Sequence, residues 1–207
     1  LQMVHPEDRK KVSDSVDEAL KNLKNYEVEH RVLHEDGTIR HVQERGEVIL
    51  DDEQHPVKIV GTVQDISVRV AAEQKIKELL DMSDKIITTA TFGILVYDEN
   101  GDCILTNEAA ANIVGATQWQ VLAQNFRRIN SWKETGLIEL AEKAIRTQRE
   151  QQSEIRVRTT FGAERWLNCK FNIFKSNEKH HLLLIFEDIT ERKKSEETLK
   201  SAIEFNK

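Results

Sequence analysis

The sequence predicts an α+β protein in which one unit, an antiparallel β-sheet with short helices on one face, occurs twice. Two observations lead to this class. Several segments alternate apolar and polar residues, as half-buried strands do, and helical periodicities flank them. The same order of segments then recurs in the second half of the chain. The second copy has two additional strands, so a five-stranded sheet is expected there.

The composition is that of a folded chain. Of the 207 residues, 39% are hydrophobic and 32% are charged, which is enough apolar material for a core. No apolar stretch approaches the roughly 20 residues of a membrane-spanning helix, and the first residues do not resemble a secretory signal. We therefore expect a cytoplasmic protein that makes no membrane contact. Cys103 and Cys169 lie in apolar stretches and are expected to be buried, reduced thiols.

The charge pattern and the motifs argue against several functions. The net charge is −6 and no basic stripe is present, so nucleic acid is not an expected partner. The sequence has no glycine-rich phosphate loop and no supported catalytic triad, so this chain is expected to be non-catalytic. The pairs His30 with His34 and His180 with His181 lack the three or four convergent ligands of a metal site, and none is expected.

Three pairs of segments carry the repeat. They match in order and spacing: 27–32 (EVEHRV) with 154–159 (EIRVRT), 37–42 (GTIRHV) with 162–167 (GAERWL), and 63–67 (VQDIS) with 186–190 (FEDIT). Asp65 and Asp188 are 123 positions apart, whereas Val42 and Leu167 are 125 apart. The two copies therefore differ by a small insertion in a turn.

The first copy is predicted to start with a helix over residues 6–24. Apolar residues recur there at helical spacing, and Pro6 suits the first turn. Asp36 and Gly37 mark a turn farther along. Strands are predicted near residues 27–33, 39–50 and 57–65.

The second copy repeats this order and adds a hairpin in front of it. The hairpin joins residues 92–97 to residues 103–106, and Asn107 is expected to cap a short helix that ends at Gly115. The longer helix is predicted over residues 137–148. Strands are predicted near residues 154–160, 165–174 and 182–188.

Residues 92–192 resemble a PAS domain. The matching motifs are the strand-turn-strand segment 93–101 (GILVYDENG), the helix entry 106–110 (TNEAA) and the closing PAC segment 186–192 (FEDITER). Residues 1–69 resemble the C-terminal part of another PAS domain. The motifs there are 5–8 (HPED), 35–38 (EDGT) and 64–67 (QDIS). Together the two resemblances cover nearly the whole chain.

This resemblance implies a sensory and dimerisation module of a multidomain signalling protein, such as a histidine kinase of a two-component system or a cyclic-dinucleotide enzyme. Because the first copy starts too late to contain an opening hairpin, we interpret the chain as a fragment of a longer protein with its output domain beyond the C-terminus. Four parts are expected: the C-terminal part of a first PAS domain (1–67), a connecting signalling helix (68–90), a complete second PAS domain (91–190) and a C-terminal output helix (191–207).

Signal transmission is expected where each sheet meets the following helix. Hydroxyl side chains at both junctions can cap a helix, and an Asp and an Arg four residues apart place opposite charges across each junction. A shift in the sheet would then tilt the helix. The residues concerned are Asp65, Ser67, Arg69, Asp188, Thr190 and Arg192.

The connecting helix is expected to pair with its twin in a homodimer. Residues 68–90 contain neither Gly nor Pro, and their small and apolar residues recur in steps of four and three, as in a heptad seam. The seam positions are Ala72, Ile76, Leu79, Ser83 and Ile86. The alternative is that the apolar seam residues pack on their own domain.

Flavin and haem are both disfavoured as cofactors. In light-sensing relatives a cysteine lies in a motif whose nearest match here, residues 124–128 (QNFRR), has none. The positions that would contact the flavin ring are expected to be Val157, Leu167 and Phe186, which cannot donate or accept side-chain hydrogen bonds. The axial histidine of haem-binding relatives is absent from residues 137–148.

An unidentified small apolar ligand is an alternative function. Its cavity would be lined by Ile155, Val157, Leu167, Cys169, Phe171, Leu184 and Phe186. Trp132 is expected to pack near this region, whereas Trp166, Arg156 and Arg158 have outward parity, and the two arginines are not assigned to an anion site. A third alternative is a structural adaptor with a solid core and no ligand.

Overall fold

The computed structural model describes residues 2–205, without the side chains of residues 202, 204 and 205. The chain divides into two compact units, Leu1–Asp81 and Met82–Lys207, called the first and second unit below. Residues 1, 206 and 207 lie outside the described part, so the extreme ends of the predicted segments 1–67 and 191–207 lie outside it too.

The first unit contains a three-stranded antiparallel sheet with one helix packed on it. A 3₁₀ turn (Pro6–Asp8) leads into α1 (Arg9–Asn22), which is followed by β1 (Tyr26–Leu33), β2 (Ile39–Leu50) and β3 (Pro56–Asp65). The strand order is β1-β2-β3. Helix α1 contacts β1 and buries Val12 and Ala19. Helix α2 (Ser67–Thr89) follows β3 and has no buried residue.

The second unit has the predicted five-stranded antiparallel sheet, which confirms the α+β class. The hairpin consists of β4 (Gly93–Tyr97) and β5 (Cys103–Thr106). Four helices follow: α3 (Glu108–Val114), α4 (Gln118–Leu122), α5 (Asn130–Thr135) and α6 (Leu137–Thr147). The last elements are β6 (Gln151–Arg158), β7 (Glu164–Ser176), β8 (Lys179–Asp188) and α7 (Thr190–Phe205). The strand order β5-β4-β8-β7-β6 places the hairpin beside the last strand.

Asn107 joins the hairpin to the helices that follow it. Its side-chain oxygen accepts hydrogen bonds from the backbone N–H groups of Ala110 (2.9 Å) and Ile94 (3.0 Å). Its side-chain nitrogen donates to the backbone oxygens of Phe92 (2.9 Å) and Ile87 (3.2 Å). The predicted cap of α3 therefore satisfies backbone groups of three segments, which explains why an amide can be buried here at 1% exposure.

The two units differ strongly in how much they bury. In the second unit a continuous core lies between the sheet and the helices, and Trp132 packs against Tyr97, Phe126 and Phe171 with ring centroids 5.6 to 5.9 Å apart. In the first unit the buried cluster consists of Val4, Val12 and Val28, with Tyr26 beside it. The second unit therefore has far more apolar burial to stabilise it.

The strand register corrects one detail of the predicted repeat. In the first unit Val42 pairs with both His30 and Asp65, and in the second unit Leu167 pairs with both Ile155 and Asp188. His30 thus corresponds to Ile155, and residues 27–32 correspond to residues 152–157 rather than to 154–159. A slip of two residues keeps every side chain on the same face of a strand, so alternation alone could not distinguish the two alignments.

Cys103 and Cys169 are free and buried, as expected. Burial raises the pKa of the Cys103 thiol to about 11 and that of Cys169 to about 12. Both side chains therefore contribute to the core as neutral, apolar groups. No helix among residues 2–205 is both long enough and apolar enough to cross a bilayer.

The difference in burial leads to a prediction for hydrogen exchange. We expect the backbone amides of β1, β2 and β3 to exchange faster than those of β6, β7 and β8, because few buried apolar contacts oppose local opening of the first unit. Exchange measured by mass spectrometry on the intact chain, scaled to the fully denatured chain, tests this. Equal protection of the two sheets would contradict it.

Candidate functional site

The junction between the last strand and the outgoing helix is held by a short hydrogen-bonded turn in the first unit. One carboxylate oxygen of Asp65 accepts a hydrogen bond from the backbone N–H of Ser67 (2.9 Å). The other accepts one from Arg40 on β2 (2.7 Å). The end of β3 is thus tied to the start of α2 and to the neighbouring strand through a single side chain.

Ser67 fastens the start of α2 to β2. Its hydroxyl oxygen accepts a hydrogen bond from the backbone N–H of His41 (2.9 Å), and the preceding residue, Ile66, donates its N–H to the oxygen of His41 (2.8 Å). Two residues later, Arg69 donates to Glu29 on β1 (2.6 Å). The first turn of the helix therefore contacts two strands of its own sheet.

The second unit repeats these contacts with the corresponding residues. Asp188 accepts from the N–H of Thr190 (2.9 Å), and Arg165 Nε lies 3.0 Å from its other oxygen. The Thr190 hydroxyl oxygen accepts from the N–H of Trp166 (2.9 Å). Arg192 donates to Glu154 on β6 (2.5 Å). Two junctions of the same construction therefore lie 123 positions apart.

The second junction has one further clamp. Lys193 lies 2.6 Å from Glu154 and 5.4 Å from the ring centre of Trp166, a cation–π arrangement. At the corresponding positions the first unit has Val70 and His41. Helix α7 is therefore bound to its sheet by an additional charged and aromatic contact.

The structure changes the predicted ion pairs at these junctions. The sequence suggested opposite charges facing each other from Asp65 to Arg69 and from Asp188 to Arg192. Asp65 instead pairs with Arg40. Both helix arginines reach glutamates on the far strand of their own sheet. The arginine side chains extend across the sheet because the junction aspartates are already engaged by strand arginines.

Sequence reasoning missed five charged residues of these junctions, four of them on strands and one on α7. They are Glu29, Arg40, Glu154, Arg165 and Lys193. A signal for two of them was present, because Arg40 and Arg165 occupy the same place in the repeated segments 37–42 and 162–167. The glutamates also correspond once the register of β1 and β6 is set at 125 positions.

Hydrogen bonds and nearby cations stabilise the charged forms of the acidic groups. The backbone N–H and hydroxyl of Ser67, followed by Arg40, hold the pKa of Asp65 well below its usual value. Lys193 and then Arg192 lower the pKa of Glu154. Asp65 and Glu154 are therefore held in their charged forms at neutral pH.

The residues predicted to line an apolar ligand cavity are all buried in the core of the second unit. Val157 and Leu167 also border a cavity of about 40 Å³, next to Trp132. The other five point into the same core and do not border that cavity. They are Ile155, Cys169, Phe171, Leu184 and Phe186.

The seam positions of α2 are exposed. Ile76, Leu79 and Ile86 are 59%, 54% and 58% exposed, and Ala72 and Ser83 are exposed as well. In the described part of the chain these side chains do not pack on a domain core. The helix thus presents an apolar stripe without a partner.

Comparison with known proteins agrees with this fold. Family models described as PAS fold match residues 1–63 and residues 81–189. The structure of an RNA-binding light-oxygen-voltage receptor has a TM-score of 0.51 and 13% identity, over 98% of this chain and 89% of that chain. At this identity the likeness supports the fold alone.

Two solved PAS domains are also similar. One, of a protein from Colwellia psychrerythraea, has a TM-score of 0.48 and 20% identity over 55% of this chain and 98% of that chain. The other, from a two-component sensor histidine kinase, has a TM-score of 0.45 and 14% identity over 54% of this chain and 97% of that chain. A comparison with curated proteins gives no match.

Replacing the hydroxyl at the second junction should destabilise the protein. In Thr190→Val the shape is kept, but the half-buried N–H of Trp166 loses its acceptor, so the free energy of unfolding should fall by about 1 to 3 kcal/mol. Urea denaturation of the intact chain measures this. Thr198→Val, on the same helix with a hydroxyl bonded only to Lys194, is the matched control and should be near neutral. Equal losses in both variants would contradict the role of Thr190.

The charge on Asp65 should make the first junction sensitive to acid. Since the pKa of Asp65 is lowered in the folded state, its stabilisation is present above the usual aspartate pKa of about 4 and is lost as the pH falls below it. We expect Asp65→Asn to be less stable than the parent at neutral pH and to approach it in acid. Urea denaturation across pH tests this, with Asp52→Asn, in a turn of the same unit, as the control. A stability difference that does not depend on pH would contradict it.

Proposed function

This chain belongs to the PAS family, and on that premise we propose that it is the sensory and dimerisation module of a multidomain signal-transduction protein. Sensing is the general role of PAS domains. In the proposed mechanism each sheet passes a conformational change to the helix that leaves it. The observation that carries this is the junction built twice, in which hydroxyl, carboxylate and guanidinium groups couple the first helical turn to the strands.

The coupling follows from the positions of the contacts. Ser67 and Thr190 hold the first residue of each helix to the middle of three strands, while Arg69 and Arg192, two residues later, reach the farther strand. A change in the twist between these strands moves the two anchor points relative to each other. The helix direction must then change, because an α-helix is stiff over the distance between them.

Dimerisation through α2 is the second part of the proposal. An exposed helix of 23 residues with an apolar seam is poorly stabilised alone and buries that seam if it pairs with a second copy. The step pattern of four and three residues is that of a two-stranded coiled coil. In such a homodimer the paired α2 helices would link the junctions of one copy to those of the other.

The output of the module is also part of the proposal. We propose a histidine kinase core in the parent protein, with a cyclic-dinucleotide enzyme as the alternative, and α7 as the segment that leads to it. We further propose that the protein works in the cytoplasm, where unpaired cysteines such as Cys103 and Cys169 stay reduced. This chain itself would transmit a signal without performing a chemical step.

The packing of the second unit favours a core without an apolar ligand. Aromatic rings occupy the space between the sheet and the helices, and the core cavity beside Trp132 measures about 40 Å³. That volume suits one or two small groups and is far below the several hundred Å³ of a typical ligand site. A stimulus would then act from outside this core, or through a neighbouring module.

Charges in the seam should abolish dimerisation. Ile76→Asp together with Leu79→Asp places four carboxylates at the centre of the paired helices. Sedimentation velocity should therefore show a dimer for the unchanged chain and a monomer for this double variant. Gln74→Asp together with Thr88→Asp adds the same charge on the opposite side of the helix and should leave the dimer intact. A monomeric parent chain, or equal effects of the two double variants, would contradict the proposal.

A further inference from the structure

An open cleft of about 520 Å³ lies at one end of the second unit. It is separate from both junctions and from the connecting helix. Its walls come from the segment between α4 and α5, from the first turn of α5, and from the end of β6 with the turn that follows. None of the functions discussed above uses this cleft.

The cleft is polar at its mouth and apolar at its inner end. It shares five lining residues with the cavity of about 40 Å³ beside Trp132, so the two adjoin. The shared residues are Gln124, Ile129, Ser131, Thr159 and Thr160. Beyond them the walls are aliphatic and aromatic, with Val114, Leu137, Val157 and Leu167 around the tryptophan ring. A ligand with a polar head and a short apolar tail would match this gradient.

Ser131 is a polar residue in this cleft that lacks a partner. The residue is only 8% exposed, yet its hydroxyl forms no hydrogen bond with any described residue, and it borders both the mouth and the inner cavity. Asn107, which is similarly buried, makes four hydrogen bonds. The Ser131 hydroxyl is not a fully buried atom, so it is available to form a hydrogen bond with a polar group in the cleft.

Two exposed charged residues at the mouth of the cleft have no ion pair in the described part of the chain. Arg127 is engaged by Glu142 (2.7 Å) and by a backbone oxygen of Glu99 (3.2 Å). Its neighbour Arg128 borders the cleft and forms no ion pair among residues 2–205, and the same holds for Glu134. Arg158 on the same rim also has no ion pair among residues 2–205, so the cleft offers two cations and one anion that the fold does not use.

Two further charges give the rim a balanced composition. Asp102 accepts a hydrogen bond from Asn125 (2.8 Å) and borders the cleft beside the segment that carries Arg128. The alternation of β6 predicted that Arg158 faces outward and belongs to no anion site. Arg158 nevertheless borders the cleft, because it is the last residue of β6 and the chain turns there. Two guanidinium and two carboxylate groups make a rim of zero net charge, which favours a zwitterion over an ion of either sign.

We propose that this cleft binds a free α-amino acid with a short aliphatic side chain. The ligand carboxylate lies against Arg128, the ammonium group lies against Glu134, Ser131 bonds to the polar head, and the side chain enters the apolar end beside Trp132. The biological meaning of this inference rests on the proposed sensory function: the bound amino acid would be the stimulus that the module senses. Binding itself can be measured without any output.

The decisive comparison uses ligands that each lack one part of the zwitterion. Isothermal titration calorimetry on the intact chain should show L-valine binding at least about tenfold more tightly than 3-methylbutanoate, which lacks the ammonium group, or isobutylamine, which lacks the carboxylate. L-Tryptophan should bind more weakly than L-valine, because its ring exceeds the inner cavity. Binding of 3-methylbutanoate as tight as that of valine would overturn the proposal, and so would the absence of heat from L-alanine and L-valine at millimolar concentration.

Variants assign the binding to this cleft. Arg128→Gln and Glu134→Gln should each weaken valine binding about tenfold or more, and Ser131→Ala should weaken it by a smaller factor. Arg149→Gln is the matched control, because Arg149 is exposed, has no ion pair among the described residues and lies outside the cleft. Both cleft charges are exposed, so the variants should fold, which circular dichroism verifies. Unchanged affinity in both charge variants would overturn the assignment.

The inference and the proposed function can fail separately. Valine binding by a chain that stays monomeric would refute dimerisation through α2 and leave the cleft proposal standing. A dimer that depends on the α2 seam but binds no amino acid would do the reverse.

Discussion

The organisation of this protein depends on one hydrogen bond that is made twice, from a backbone N–H in the middle of a sheet to the hydroxyl oxygen at the start of the outgoing helix. In the first unit it joins His41 to Ser67, and in the second it joins Trp166 to Thr190. Each bond satisfies a strand N–H that no other strand reaches, and each fixes the first residue of a helix at the same time. Because every residue except proline supplies the backbone donor, the sequence constraint falls mainly on the hydroxyl residue. The aspartate two residues earlier and the arginine two residues later then hold the helix against rotation about that point.

The two junctions share this construction but differ in how firmly the helix is held. Helix α2 is attached through Arg69 and Glu29, after which its side chains are exposed. Helix α7 has the corresponding pair and also Lys193, which lies between Glu154 and the face of Trp166 and is only 23% exposed at its side chain. In the proposed function, α2 has to remain free to pair along its apolar stripe, whereas α7 has to follow its own sheet. The extra contact thus makes the second helix follow the sheet more closely than the first.

Much of this fold could be predicted from the sequence, because alternation, helical periodicity and the repeat report directly on which face of each element is buried. The five-stranded sheet, the cap at Asn107 and the burial of Cys103 and Cys169 all follow from such local patterns. The alignment of residues 27–32 was wrong by two residues, since a slip of two conserves the buried face of a strand. The ion pairs at the junctions were wrong for another reason: the partners of Arg69 and Arg192 lie on distant strands, and their identity depends on sheet register. The cleft beside Trp132 was also missed, because it is formed by loop residues that have no periodicity.

The clamp on α7 has a consequence for the solution conditions in which the protein operates. Its attachment is made of partly exposed charges: the side chains of Glu154 and Arg192 are 37% and 51% exposed. At physiological ionic strength charges are largely screened beyond about 8 Å, and this distance shortens as salt rises, so an exposed pair in contact is weakened by salt but is not abolished. The hydroxyl bond at Thr190 is unaffected by this screening. Added salt should therefore weaken the attachment of Arg192 to β6 while Thr190 stays anchored to β7, so that α7 follows its own sheet less closely.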